Sequence, residues 1–137
     1  AMVKEKASKI TIVNRTMENA IKLAEFAEKI GGNVETVSLQ EANKIIADYK
    51  FIINSTSIGM KNEPSALSTE NIGKDTIVYD IVYQPINTDL VKKSKENGAT
   101  IIYGYEMLLS QAARAFEIWH KIEPPYDAMK KALLGGF

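Results

Sequence analysis

Residues 9–37 read KITIVNRTMENAIKLAEFAEKIGGNVETV. The run Lys9-Ile10-Thr11-Ile12-Val13-Asn14 is rich in β-branched residues, the composition of a strand. Thr16 stands where a helix N-cap belongs, and Ala20, Leu23, Ala24, Ala27 and Ile30 recur on one helical face over residues 17–30. Gly31-Gly32 closes that helix with the residue that tolerates a left-handed C-cap. Asn33–Val37 then gives a second short strand. Strand, helix and strand in succession form a crossover unit, the building block of a parallel sheet.

The same alternation continues downstream. Ser38 and Glu41 have capping-box spacing and open a helix with Ala42, Ile45 and Ile46 on its buried stripe. Phe51-Ile52-Ile53-Asn54 is nearly all apolar, as a parallel strand covered on both faces should be. A polar loop runs from Ser55 to about Asp75, a length uncommon in a loop without a task. Thr76–Ile81 is the next strand; Pro85 breaks the chain before a helix capped by Thr88 and closed by Gly98. Thr100–Tyr103 is a further strand, ended by an abrupt turn at Gly104. A longer helix then carries Met107, Leu108, Ala112, Ala115, Phe116 and Trp119. Pro124-Pro125 stops it, and an amphipathic helix runs to about Leu134. Upstream, Val3–Ser8 reads as the frayed end of a helix and Ala1-Met2 as a cloning remnant. The expected architecture is α/β: a Rossmann-like parallel sheet with helices on both faces, formed by a single domain over residues 1–137.

Composition excludes several classes of function. Among 137 residues, 45% are apolar and 25% charged, a globular balance. Lys plus Arg number 17 and Asp plus Glu also 17, so the charge excess of a protein that grips nucleic acid is absent. With no Cys there is neither a disulfide framework nor a thiolate metal site. A single His, His120, excludes multi-His metal centres, and its place near a helix end suits a surface or helix-dipole residue. No apolar run approaches the ~20 residues of a membrane span, and no signal-peptide pattern opens the chain. These absences predict a cytoplasmic protein with no nucleic-acid or membrane partner and no metal.

In sheets of this kind ligands bind beyond the carboxyl ends of the strands. The exits are Asn14-Arg15-Thr16, Asn54-Ser55-Thr56 on to Met60, Asp80 to Pro85, and Gly104 to Met107 with Gln111 one turn on. An Arg with no acid at the first exit suits the 2′-phosphate of NADP, where NAD-binding folds place a carboxylate for the ribose hydroxyl. The same residues also fit a surface Arg beside an ordinary cap. Asn54, Ser55 and Thr56 offer amide and hydroxyl groups for a ribose or pyrophosphate, or simply form a turn. Gly59 permits close approach of a ligand. Asp80 reads as a structural carboxylate that satisfies loop amides. Tyr83 either donates its hydroxyl to a substrate carboxylate or packs over the strand end. Met107 fits a core position as well as a ligand contact, and the Gln111 amide needs a partner in an apolar stretch. The Gly-rich G-x-G-x-x-G turn that cradles a pyrophosphate occurs nowhere in the chain.

Four segments together resemble the C-terminal cofactor domain of shikimate dehydrogenases, over about Ala7 to Leu134. They are Asn14-Arg15-Thr16, the NADP-selecting loop; Asn54 to Met60, similar to N-A-T-x-x-G-M; Asp80 to Thr88, similar to D-x-x-Y-x-P-x-x-T; and Gly104 to Phe116, similar to G-x-x-M-L-x-x-Q-x-x-x-x-F. The resemblance implies that Arg15 binds the 2′-phosphate of NADP with Asn14 and Thr16 around that ribose. It implies that Asn54 and Thr56 lie along the cofactor, that Gly104 and Met107 border the nicotinamide, and that Tyr83 and Gln111 touch the substrate. The implied reaction is reversible reduction of 3-dehydroshikimate to shikimate by NADPH, in the chorismate route to aromatic amino acids. The family's catalytic Lys and Asp belong to a substrate domain that this sequence does not contain, so no catalytic residue is assigned here.

The family often has a second Arg four residues after Arg15; this chain has Asn19, which leaves NAD use open. In the usual order 3-2-1-4-5-6 the missing first strand is central, so the strands at Lys9–Asn14 and Phe51–Asn54 lose a shared neighbour. The expectation is a rearranged sheet or a homo-oligomer, with domain swapping as one route. A chain of this kind is expected to be inactive alone. The alternatives are a quinate-using relative and a non-catalytic oligomerising module.

Overall fold

Four residues, Ile10–Val13, form β1, and the 13-residue helix α1 (Met17–Lys29) returns the chain to β2 (Val34–Val37). The computed structural model describes residues 1–136, in two compact units: Ala1–Ile46, and the described residues from Ala47 onward. In the first unit β1 and β2 pair in parallel from Ile10↔Val34 to Val13↔Val37, and α1 lies against both strands. Ala20, Ala24 and Ala27 are its buried stripe, while Leu23 and Ile30, expected on that face, are exposed. Three alanines spaced at i, i+4 and i+7 let the helix sit close to the strands, and the longer side chains flank that line.

The glycine pair does what the sequence implies. Gly31 has φ +86°, its N–H donates to the Glu28 carbonyl, and the Gly32 N–H donates to Ala27. That paired 6→1 and 5→2 pattern is a Schellman ending. The capping box of α2 (Leu39–Ile45) is formed: Glu41 N donates to Ser38 Oγ at 3.2 Å, and Ser38 N donates back to Glu41 Oε2 at 2.9 Å. At the start of the chain residues 2–6 form turns: Glu5 N donates to Ala1 O, Lys6 N to Val3 O and Ala7 N to Met2 O, with Lys6 at φ +56°, the bonding of a single helical turn and its ending, as the sequence implies. Val3 is held against Gly32, where an added Cβ would lie 2.8 Å from its methyl group.

The second unit has a three-stranded parallel sheet in the order β3 (Phe51–Asn54), β4 (Ile77–Asp80), β5 (Thr100–Ile102). Helix α3 (Asp89–Glu96) lies against β4 and β5; α4 (Gly104–His120) packs with α5 (Tyr126–Leu134). Ile72, Val78, Val91 and Leu109 are the largest apolar side chains sealed in this core. Helix α3 ends as α1 does, with Gly98 at φ +87° and Ala99 N donating to Ser94 O.

Two expectations are corrected here. Strand β3 is not covered on both faces: Ile52 is buried, but Phe51 and Ile53 each remain 39% exposed. In α4 the buried positions are Gly104, Leu109 and Ala113, whereas Ala112 is exposed and Trp119 is 76% exposed. That helix has apolar residues on several faces, so periodicity alone does not choose which one is buried. The five strands therefore form two sheets. β1 is laddered only to β2 and β3 only to β4, leaving one edge of each without a strand partner among the described residues.

Candidate functional site

The first candidate group sits at the exit of β1. Asn14 Oδ1 accepts the Thr16 N–H at 2.9 Å, so the asparagine bends the chain into α1. Thr16 occupies the N-cap position, but its side chain makes no capping bond. The expected cap is thus supplied in position and not in chemistry. Arg15 is exposed, and among the described residues its guanidinium has no ion-pair or hydrogen-bond partner. A free guanidinium and an uncommitted hydroxyl beside the first turn of a 13-residue helix suit a phosphate ester.

The second group is built on the carboxyl ends of β3 and β4. In the parallel register Asn54 lies opposite Asp80, which is 0% exposed. Asn54 Nδ2 donates to Asp80 Oδ1 at 2.9 Å and to the Ile58 carbonyl at 3.1 Å. Its Oδ1 accepts both the N–H and the hydroxyl of Thr56, at 3.1 and 2.7 Å. Thr56 Oγ1 in turn accepts the Ile58 N–H at 3.1 Å. Both amide ends of Asn54 and the Thr56 hydroxyl proton are therefore spent inside the turn, which shapes the strand exit. Asp80 Oδ1 also accepts the Val82 N–H at 3.0 Å, and Oδ2 accepts the Thr88 hydroxyl at 2.6 Å. The reading of Asp80 as a structural carboxylate holds.

Gly59, at φ +104°, makes its close approach to a protein group: an added Cβ would lie 2.8 Å from the Thr88 methyl. Beyond it, Glu63 Oε2 accepts the N–H groups of Gly59 and Lys61 at 3.0 and 2.8 Å. Backbone N–H groups, its own foremost and then that of Lys61, hold the Glu63 carboxyl below the usual carboxylate range. Asp89 anchors the same loop by accepting the Ser65 N–H at 2.9 Å, and that bond and then Lys93 lower its pKa.

The third group lies where α4 starts. Gly104 is packed on the chain leaving β4: an added Cβ would lie 2.5 Å from the Val82 carbonyl oxygen and 2.6 Å from that of Ile81. The residue after Val82 is Tyr83, which is 41% exposed. Met107 is half-buried on the first turn of α4, and Gln111, one turn on and on the same side, is exposed. Its amide faces water and needs no partner from the core. Tyr79, on the other face of β4 from Asp80, has its pKa raised by burial and by the Glu106 carboxylate. His120 closes α4 at the surface, its ring centroid 4.4 Å from that of Phe116.

Within the second unit the structure thus joins Asn54 and Thr56 to Asp80, and Gly104 to the residues just before Tyr83. Sequence reasoning gave Thr88 as a helix cap and as the end of the Asp80-to-Thr88 segment without linking its hydroxyl to Asp80, and it overlooked Glu63. The signal for Thr88 was its place eight residues after Asp80 in a segment already singled out. Glu63 had none, because a Glu in a polar loop looks the same whether or not it gathers backbone amides. Among the described residues no group of His, Cys, Asp or Glu is arranged to hold a metal ion, and no helix is long and apolar enough to cross a membrane.

Parallel strands alternating with helices, with polar residues gathered at the strand exits, define a Rossmann-like α/β protein. The model of the family "Shikimate / quinate 5-dehydrogenase" matches residues 1–83, and that of "Shikimate 5'-dehydrogenase C-terminal domain" matches residues 104–134. The chain belongs to the shikimate/quinate 5-dehydrogenase family. It is 58% identical to the shikimate dehydrogenase (NADP(+)) of Nitrosopumilus maritimus over 134 residues, 98% of this chain and 49% of that protein. The quinate dehydrogenase of Corynebacterium glutamicum, solved in complex with NAD, superposes with TM-score 0.87 at 28% identity, covering 98% of this chain and 49% of that one. Shikimate 5-dehydrogenase from Thermus thermophilus, solved with NADP(H) and shikimate, gives TM-score 0.79 at 26% identity over 98% of this chain and 49% of that one. The chain spans about half the length of the curated relatives it matches.

Proposed function

We propose that this chain is the cofactor-binding half of an NADP-dependent shikimate dehydrogenase, a cytoplasmic biosynthetic enzyme that reversibly reduces 3-dehydroshikimate to shikimate. The observation that carries the reading is Arg15: an exposed guanidinium without a partner among the described residues, at the strand exit where this fold selects its nucleotide. The 58% identity to an NADP(+) shikimate dehydrogenase supports it.

Bound NADP supplies or takes up a hydride through its nicotinamide. The chain's own residues then have distinct tasks. Arg15 neutralises the 2′-phosphate, with Thr16 Oγ1 donating and Asn14 shaping the loop. Asn54 and Thr56 form the turn along which the cofactor lies, and Gly104 and Met107 border the nicotinamide. Tyr83 Oη donates a hydrogen bond to the substrate, and the Gln111 amide orients it. The acid–base groups come from the substrate-binding half, so this chain alone is inactive, and a homo-oligomer, domain-swapped or not, would cover its open strand edges.

A quinate-oxidising, NAD-tolerant enzyme is the second reading. It is favoured by the TM-score of 0.87 to a quinate dehydrogenase bound to NAD, and by Asn19 where a second cation would strengthen a phosphate clamp. Steady-state assay of the full-length enzyme with shikimate or quinate, each with NADP+ or NAD+, decides between them. The proposal expects the highest kcat/KM with shikimate and NADP+. Preference for quinate and NAD+ would establish the second reading, and no turnover of either acid would refute both.

A further inference from the structure

We infer that Asp80 and Thr88 are positioning residues: a buried hydrogen-bonded relay through which the start of α3 fixes both the Asn54–Thr56 turn and the backbone that carries Tyr83. The relay begins at Val91, whose N–H donates to Thr88 Oγ1 at 3.2 Å. With that lone pair occupied, the Thr88 hydroxyl proton points to Asp80 Oδ2 at 2.6 Å. The other oxygen, Oδ1, receives the Asn54 amide at 2.9 Å and the Val82 N–H at 3.0 Å. Three donors from three separate segments therefore meet on one carboxylate that is 0% exposed.

Direction matters as much as number. Every partner of Asp80 donates, so the Asn54 amide must present its NH2 end to the carboxylate and its oxygen to Thr56. The orientation of the exposed turn is thereby set from the buried side. On the other branch, holding the Val82 N–H fixes the Ile81–Val82 peptide, one unit before the peptide that leads into Tyr83, and the Ile81 and Val82 carbonyl oxygens are the atoms on which Gly104 rests. Gly59 seals the relay by packing on the Thr88 methyl. In a buried network of this kind the loss of one donor is felt by its neighbours, because the remaining acceptor is left short of partners in low dielectric.

Only the meaning given to Tyr83 and Thr56 rests on the proposed function; the coupling itself does not. The test is nuclear magnetic resonance of this chain as wild type, Thr88→Val and Thr88→Ser. Thr88→Val keeps the shape but removes both the cap and the hydroxyl donor. The relay predicts shifted amide resonances at Thr56, Val82 and Tyr83 as well as Val91, and amide-exchange protection at Val82 reduced about tenfold or more. Thr88→Ser, which retains the hydroxyl but loses the methyl against Gly59, restores the wild-type position at Val82 and lies closer to wild type than the valine variant at Thr56. Changes confined to Val91 and its helical neighbours, or a serine variant as perturbed as the valine one, would overturn the inference.

If Thr88→Val does not fold, Asn54→Ala probes the relay from its exposed end. It must then shift the Thr88 and Val82 amides, and silence at both refutes the coupling. NADP+ titration of the same samples keeps the two claims apart. A wild-type chain that binds no nucleotide counts against the proposed function while leaving the resonance result intact.

Discussion

Gly104→Ala is the substitution for which the structure gives the firmest expectation. The Cβ it adds would lie 2.5 Å from the Val82 oxygen, 2.6 Å from the Ile81 oxygen and 2.6 Å from the Val82 carbonyl carbon, where real Cβ contacts below 3.0 Å essentially do not occur. All three atoms are backbone, so no side chain can swing aside; α4 or the β4 exit must move by about half an ångström. Overpacking of this kind costs typically 1–3 kcal/mol, and a backbone wall on the receiving side places it at about 3. Alanine returns at most ~1 kcal/mol through helix propensity and a less flexible unfolded chain. The net loss is about 2 kcal/mol, or roughly 6 °C in Tm for a chain of this size. Thermal unfolding followed by circular dichroism measures it. Gly73→Ala is the control, since nothing lies within 4 Å of the Cβ it would add. A Gly104→Ala chain that melts with the wild type or above it would refute the close-contact reasoning.

Other expectations follow from the same packing and charges. Leu109, 2% exposed, is the sealed residue of α4, and Leu109→Ala should cost about 2–5 kcal/mol in urea unfolding, far more than Leu23→Ala on the exposed flank of α1. The Glu63 and Asp89 carboxyls have folded pKa values lowered by the backbone N–H groups they accept. A lowered folded value means that their contribution is present above the unfolded pKa, near 4 for a carboxylate, and is lost as pH falls through the folded one. Amide resonances of Gly59, Lys61 and Ser65 should therefore broaden or shift on acidification below about pH 4. Loop amides indifferent to acid would remove the role given to these two carboxylates.

Much of the fold is legible because local signals and the sheet agree. The two Schellman endings at Gly31 and Gly98, the Ser38–Glu41 box and the Thr88 cap each follow from residues within one turn of each other. The errors arise where the answer depends on a distant neighbour. The apolar composition of β3 says that it pairs in parallel, but the cover over Phe51 and Ile53 is decided elsewhere. In α4, Met107, Leu108, Leu109, Ala112 and Ala113 offer more than one apolar stripe, and tertiary packing, the approach of Gly104 to the Val82 carbonyl included, leaves Leu109 and Ala113 as the buried ones. The site divides in the same way. Asp80 was legible as a structural carboxylate and Asn54–Thr56 as a polar strand exit. That a single carboxylate joins them to Thr88 required three segments to be brought together in space.

Calorimetric titration of NADP+ into this chain, with NAD+ as the comparison, tests most directly the claim that the exit of β1 is a site for the 2′-phosphate. A charge-assisted contact to one guanidinium contributes about 1.5–3 kcal/mol, so NADP+ should bind roughly ten- to a hundredfold more tightly than NAD+. Arg15→Ala should erase that preference and leave NAD+ binding unchanged. Equal affinities, no binding of either nucleotide, or a preference that survives Arg15→Ala would contradict the account.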